Sequence, residues 1–249
     1  MEVHHHTDTP RKKWNHYFWE FFMLFLAVFC GFLAEYQLEH VIEHKREKQY
    51  MKTLLEDLKK DTASLEESVQ FWIALGKKID SARPLLKSHA NNYGLEEIYE
   101  MAAMLVDFND FIYFDRTIEQ LRNAGNFRLI RNQKVSDTLI SYDSFIRVQL
   151  KEQEETLLKV LLNLLSLQNE IFDSDLVEFK FKKLKKMIVS AGDTTINYPI
   201  VNNKEKLFKY YNDLFLYRAG IMYIISSENG LKKWATNLII LVKKEYRLK

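Results

Sequence analysis

Two histidines four positions apart are the first residues whose spacing suggests chemistry. His40-Val41-Ile42-Glu43-His44 matches the H-x-x-E-H pattern, which sets two imidazoles one helical turn apart with Glu43 available as a base for a zinc-bound water. No acidic third ligand stands out downstream, and so short a pattern arises readily in a stretch rich in Glu and His. A solvated helix face is therefore the plainer reading. His4, His5 and His6 also carry ligating nitrogens, but a short terminal tail supplies no second layer of hydrogen bonds to orient them. Nucleophilic chemistry has less support: there is no G-x-S-x-G and no G-x-x-x-x-G-K-[ST], and the sole cysteine, Cys30, lies in an apolar run. One cysteine forms no intramolecular disulfide and builds no Cys-based zinc site. The expectation is a chain with no catalytic residue, no cofactor and no metal.

Glu20 remains, because it stands inside the segment that otherwise avoids charge, "FWEFFMLFLAVFCGFLAEYQLEH", Phe18 to His40. The uncharged run from Phe21 to Ala34 is 14 residues, short of the ~20 that cross a bilayer. Trp14, Tyr17, Phe18 and Trp19 extend it as an aromatic belt, so a transmembrane helix over 14–35 is expected. A secretory signal peptide is the rival reading, since Arg11, Lys12 and Lys13 precede an apolar run. Cleavage is disfavoured by Phe32 before Leu33 and Ala34, and lipoprotein-type processing at Cys30 by the bulky Phe29. Basic residues abut the start of the span, whereas Lys45, Arg46 and Lys48 lie further from its end among glutamates. That asymmetry places the N-terminus in the cytoplasm and the rest of the chain outside it, in the periplasm of a Gram-negative cell.

Composition describes what the span carries. Lys plus Arg is 36 and Asp plus Glu is 34, leaving no global field to attract nucleic acid. Gly is 7 and Pro 3 in 249 residues, too few for turn-rich β folds, while 47% hydrophobic content is enough for a core. Long helices follow. Met51, Leu55, Leu58, Thr62, Leu65, Val69 and Trp72 recur at steps of four and three, the seam of a coiled coil, so a stalk helix is expected over 36–76. Together with the span it would make a rod of roughly 90 Å at ~1.5 Å per residue. Gly76 and Arg83-Pro84 interrupt the pattern, and a helical domain is expected over 77–249. Within it Asp115 caps a helix that Gly125 stops, Asn132 opens the next, and Lys204 starts a last long helix with a bend at Asn229-Gly230. The fold class is all-α: an N-terminal transmembrane helix, a stalk and an antiparallel helical bundle, behind a basic, His-rich cytoplasmic tail over 1–13.

The stretches "LLEDLKKD" and "TIEQLRNAGNFRLIRNQKVSD", with the anchor before them, resemble an uncharacterised family of short single-pass membrane proteins from Bacteroidota. The likeness covers about half the chain. It implies one N-terminal span, a helical domain and an envelope location, and it carries over no functional residue.

Helical phase gives Glu20 a neighbourhood. At ~100° per residue, Ala27, Gly31, Ala34 and Leu38 fall within about 40° of it. Ala27-x-x-x-Gly31 and Cys30-x-x-x-Ala34 are small-xxx-small pairs, the spacing that lets helices approach closely in lipid. Glu20, Ala27, Gly31 and Ala34 are thus the expected interface with a second copy or another membrane protein. An unpaired carboxylate at that depth costs about 1 to 3 kcal/mol, so it would be protonated, paired or turned to water. The alternative is that Glu20 reaches out to the headgroups. The basic run "KFKKLKKM", Lys180 to Met187, is read as a solvated face with Phe181, Leu184 and Met187 in the core, against contact with anionic lipid or an acidic partner. Two function classes remain: a non-enzymatic scaffold or accessory subunit of an envelope complex, and a subunit of an ion or proton channel in which several copies of Glu20 line the path.

Overall fold

The computed structural model describes residues 14–88, 92–187, 196–201 and 203–248. The tail with His4, His5 and His6 lies outside them. Among the described residues the chain is all-helical: α1 (Trp14–Ala82), α2 (Asn92–Leu105), α3 (Arg116–Asn123), α4 (Gln133–Ser144), α5 (Lys151–Gln168), α6 (Ser174–Leu184) and α7 (Lys204–Tyr246). No strand forms among these residues. Phe111 to Phe114 are irregular, and an isolated antiparallel bridge joins Phe172 to Ile200.

The chain divides into two compact units, Met1–Tyr50 and Met51–Lys249. In the first, α1 carries an apolar window with mean hydropathy 1.9, long enough to cross a membrane and not buried anywhere along its length. Its aromatic side chains touch each other along the helix: Phe18 on Phe22, Phe21 on Phe25 and Phe25 on Phe29, with centroids 5.9 to 6.4 Å apart. Such i, i+4 pairs brace the helix without covering it.

In the second unit, Met51, Leu54, Leu55, Leu58, Leu65, Val69, Trp72, Leu75 and Ile79 of α1 are buried. Residues 51–76, expected as the upper stalk, are therefore core of the helical domain, and the domain begins at Met51 rather than at residue 77. The reason is physical: a four-three apolar repeat has the same form whether a second copy or the chain's own helices cover it. Gly76 does not break α1. The helix runs on to Ala82, where Arg83–Leu86 tightens into a 3-10 turn around Pro84.

Helix ends follow local chemistry. Asn132 accepts from Val135 N at 3.1 Å and Asp173 from Asp175 N and Leu176 N, each capping the helix it precedes. Gly125 takes φ +63° after α3, a left-handed conformation that glycine adopts freely. Asp115 stands at the start of α3 but caps nothing with its side chain, which is engaged by Arg147. A π-helical turn, Phe145–Leu150, joins α4 to α5 without a loop. On α7 the buried residues step by four and three from Tyr210 to Val242, and Asn229-Gly230 leaves the helix unbroken.

Candidate functional site

Glu20, Ala27, Gly31 and Ala34 all lie on α1 with exposed surfaces, and a Cβ added at Gly31 would meet nothing within 4 Å. The face stands open for a neighbour. Glu20 Oε1 lies 3.0 Å from His16 Nε2 one turn earlier, so the helix itself supplies a cationic partner when His16 is protonated. Of the pair His40 and His44, His40 lies beside the Tyr36 ring and His44 Nδ1 is 3.4 Å from Glu47 Oε2. Among the described residues no group of three or more His, Cys, Asp or Glu side chains is arranged to hold a metal ion.

The helical domain gathers its charged side chains at a place the sequence reading did not single out. Asp57 and Asp61 occupy core positions of α1, each almost fully buried. Asp57 Oδ2 accepts from Thr117 N at 3.0 Å and from Thr117 Oγ1 at 2.5 Å, while Oδ1 accepts from Arg116 Nη2 at 3.0 Å. Asp61 accepts from Phe114 N at 2.8 Å and from the Tyr142 hydroxyl at 3.0 Å. Two aspartates one turn apart thus receive the backbone that leads into α3. They belong to "LLEDLKKD", and their partners lie in or beside "TIEQLRNAGNFRLIRNQKVSD". The two stretches meet here.

A second tier lies against the first. Buried Asp143 accepts from the Tyr113 hydroxyl at 2.9 Å and from Arg147 Nε at 2.9 Å, and pairs with Arg122. Arg147, carried on the π-helical turn, also reaches Asp115 and Glu119 at 2.7 Å. Burial and the adjacent carboxylates push the Tyr113 and Tyr142 hydroxyls far above the ordinary phenol range, so both remain donors. Burial likewise lifts Asp61 to about 7 against the lowering effect of its two hydrogen bonds. Each of Asp57, Asp61 and Asp143 is engaged by backbone, phenol or guanidinium, an arrangement suited to fixing helices.

The third polar cluster is acidic. Glu228 is fully buried on α7 and accepts from Ser68 Oγ of α1 at 2.8 Å. Burial raises it to about 7, with Glu154 and Asp110 adding to the rise and Ser68 and the Trp72 indole opposing it. Glu154 is raised to about 7 by burial and by Asp110, and lines a cleft of 350 Å³ with Phe111, Tyr113, Arg147 and Lys151. Glu228 stands at a step of the four-three series of α7, where a charge is costly unless partnered, whereas Asp57 and Asp61 each fall one position before a member, Leu58 and Thr62, of the series read in α1.

The run Lys180–Met187 departs from expectation. Val177 and Lys180 are the buried residues of α6, with Lys180 paired to Glu96 and its ammonium 5.1 Å from the Tyr198 ring centroid. Leu184 and Met187, expected in the core, are exposed. The helix phase is set by Lys180, whose long apolar stem is buried with its charge satisfied by Glu96.

Comparison of the chain with protein-family models, with curated proteins and with solved structures finds no match. Its function has to be argued from its own geometry.

Proposed function

We propose that this chain is a non-enzymatic, membrane-anchored scaffold or accessory subunit of a bacterial envelope complex, related to the Bacteroidota single-pass family. Its N-terminus is cytoplasmic, its anchor lies in the inner membrane, and its helical domain is periplasmic. It assembles through α1 with a second copy or another membrane protein, using the face of Glu20, Ala27, Gly31 and Ala34.

The observation that carries this reading is the apolar window of α1, which is left uncovered by the described residues. An exposed apolar helix of that length is stable in lipid and unstable in water. The small residues on one side of it suit close helix approach, and the Glu20–His16 pair at 3.0 Å reduces the charge that approach would have to desolvate. In the domain, buried charged groups join α1, α3, α4 and the π-helical turn to one another, which suits a rigid body better than a working cleft. Cross-connections Glu66–Lys232, Asp80–Arg218 and Arg83–Tyr211 support an antiparallel bundle, since the α7 numbers fall as the α1 numbers rise.

Glu20→Gln tests the assembly. The variant, purified in detergent, is expected to lose stoichiometric association measured by light scattering, with unchanged domain melting. Loss of ion flux in proteoliposomes with the assembly intact would instead support a channel and contradict the scaffold.

A further inference from the structure

Helix α7 is apolar on two opposite faces. One face steps from Tyr210 to Val242 and is the domain core. On the other, Phe208, Phe215 and Met222 alternate with Asn212, Ala219 and Ser226 at steps of four and three, flanked by Leu216 and Tyr223. This second series has the repeat of a helix–helix seam, and the described residues leave it exposed. Phe208 is 60% exposed, Phe215 56%, Leu216 58%, Met222 60% and Tyr223 71%. Arg83 and Lys87 approach the rings of Phe215 and Phe208 at 5.4 and 6.0 Å, leaving most of each ring bare.

We infer that this face of α7 is a contact between two copies of the chain, with the two α7 helices side by side and parallel. The area is of the right size: five large side chains, each about three-fifths exposed, present roughly 600 Å² per protomer before their neighbours are counted. A standard specific interface takes about 800 Å² from each partner, a total that Ala219, Ser226 and the seam's edges bring within reach. The charge pattern agrees. From Asn212 to Ser226 the seam positions themselves carry no ionised side chain, and the cations nearest them, Arg83 and Lys87, sit on the Tyr211 ring at one edge. Alternation of large and small residues lets Phe215 and Met222 pack while Ala219 keeps the backbones close. Asn212 sets the direction. A single asparagine at this type of heptad position pins register in a parallel two-stranded pair by facing its own counterpart. A two-fold axis along the seam then places each residue opposite itself, and the contact is isologous and closed. It is separate from the face of Glu20 and can hold whether or not the membrane segments pair.

Disulfide trapping reads the contact. In the full chain in native membranes, with Cys30→Ala as background, Ala219→Cys and Ser226→Cys are oxidised separately, with Lys159→Cys on α5 as the control. Covalent dimers are expected at both seam positions, at least tenfold more than at the control. Adding Phe215→Glu should cut them tenfold while the melting of the domain stays unchanged. Absence of dimer at both seam positions overturns the inference, even if Ala27→Cys links the membrane segments. Equal linking at Lys159→Cys, or capture of a different protein at Ala219→Cys, overturns it as well.

Discussion

Asp57→Ala is expected to destabilise the helical domain by roughly 2–5 kcal/mol, the largest loss from any single truncation outside the apolar core. Asp57 is 3% exposed and Thr117 fully buried, so the substitution strands the Thr117 amide and hydroxyl away from water. Each stranded group costs about 1–3 kcal/mol, which exceeds the value of the lost hydrogen bonds themselves. The contribution of Arg116 is smaller, because its guanidinium is half-exposed and screened by solvent. Asp57→Asn keeps one acceptor and should lose less than half as much, whereas Thr117→Val, which removes only the hydroxyl, should cost about 1 kcal/mol. Chemical denaturation of the detergent-solubilised chain, followed by far-ultraviolet circular dichroism, gives all three values. Equal effects from Asp57→Ala and Asp57→Asn would mean that the carboxylate is not acting as a backbone acceptor.

Glu228→Gln should act in the opposite direction. The folded domain holds the Glu228 carboxyl at about 7 against an ordinary value of 4.5, chiefly through burial. Between these two pH values the folded state keeps a proton that the unfolded chain has released, so stability falls as pH rises through this window. The favourable contribution is complete below the unfolded value and lost above the folded one. At pH 8 the neutral amide avoids a buried charge, and the variant should be more stable than the parent by up to about 3 kcal/mol. At pH 4 the two should melt together. Asp61 and Glu154, also lifted to about 7, keep part of the decline in the variant, so its stability profile flattens without becoming level. Melting curves at both pH values decide the matter; a variant that is less stable than the parent at pH 8 would mean that the ionised carboxylate is needed in place.

These two groups show how far the sequence could be read. The all-helical class was legible because Gly and Pro are scarce and the apolar steps of α1 run without interruption. Gly125 and Asn132 were legible because left-handed backbone and N-terminal capping each demand few residue types. The true start of the helical domain was not, since Met51, Leu58 and Leu65 would present the same spacing to a second copy as they do to their own domain. Thr62 was expected in that series, yet Asp61 is the buried residue and Thr62 turns back to the Lys59 carbonyl. Partnering inverted the usual rule: a backbone amide and the Tyr142 phenol make burial of the acid tolerable, and both lie more than fifty residues away in sequence. Lys180 makes the same point on α6, where an ion pair with Glu96 holds a lysine inside and leaves Leu184 outside. On the apolar part of α1, helical phase groups Glu20 with Ala27, Gly31 and Ala34, and the same phase brings His16, one turn earlier, to the Glu20 carboxylate.

The face of Glu20 is the centre of the functional reading, and disulfide formation at Ala27→Cys in native membranes tests it most directly. With Cys30→Ala as background, the account predicts a covalent dimer or a covalent link to another membrane protein at Ala27→Cys. That product should resist alkaline extraction and disappear when Gly31→Leu is added. Phe29→Cys, about half a turn away from Glu20, should give little. Equal linking at the two positions, or a protein released from the membrane by the alkaline wash, would contradict the account.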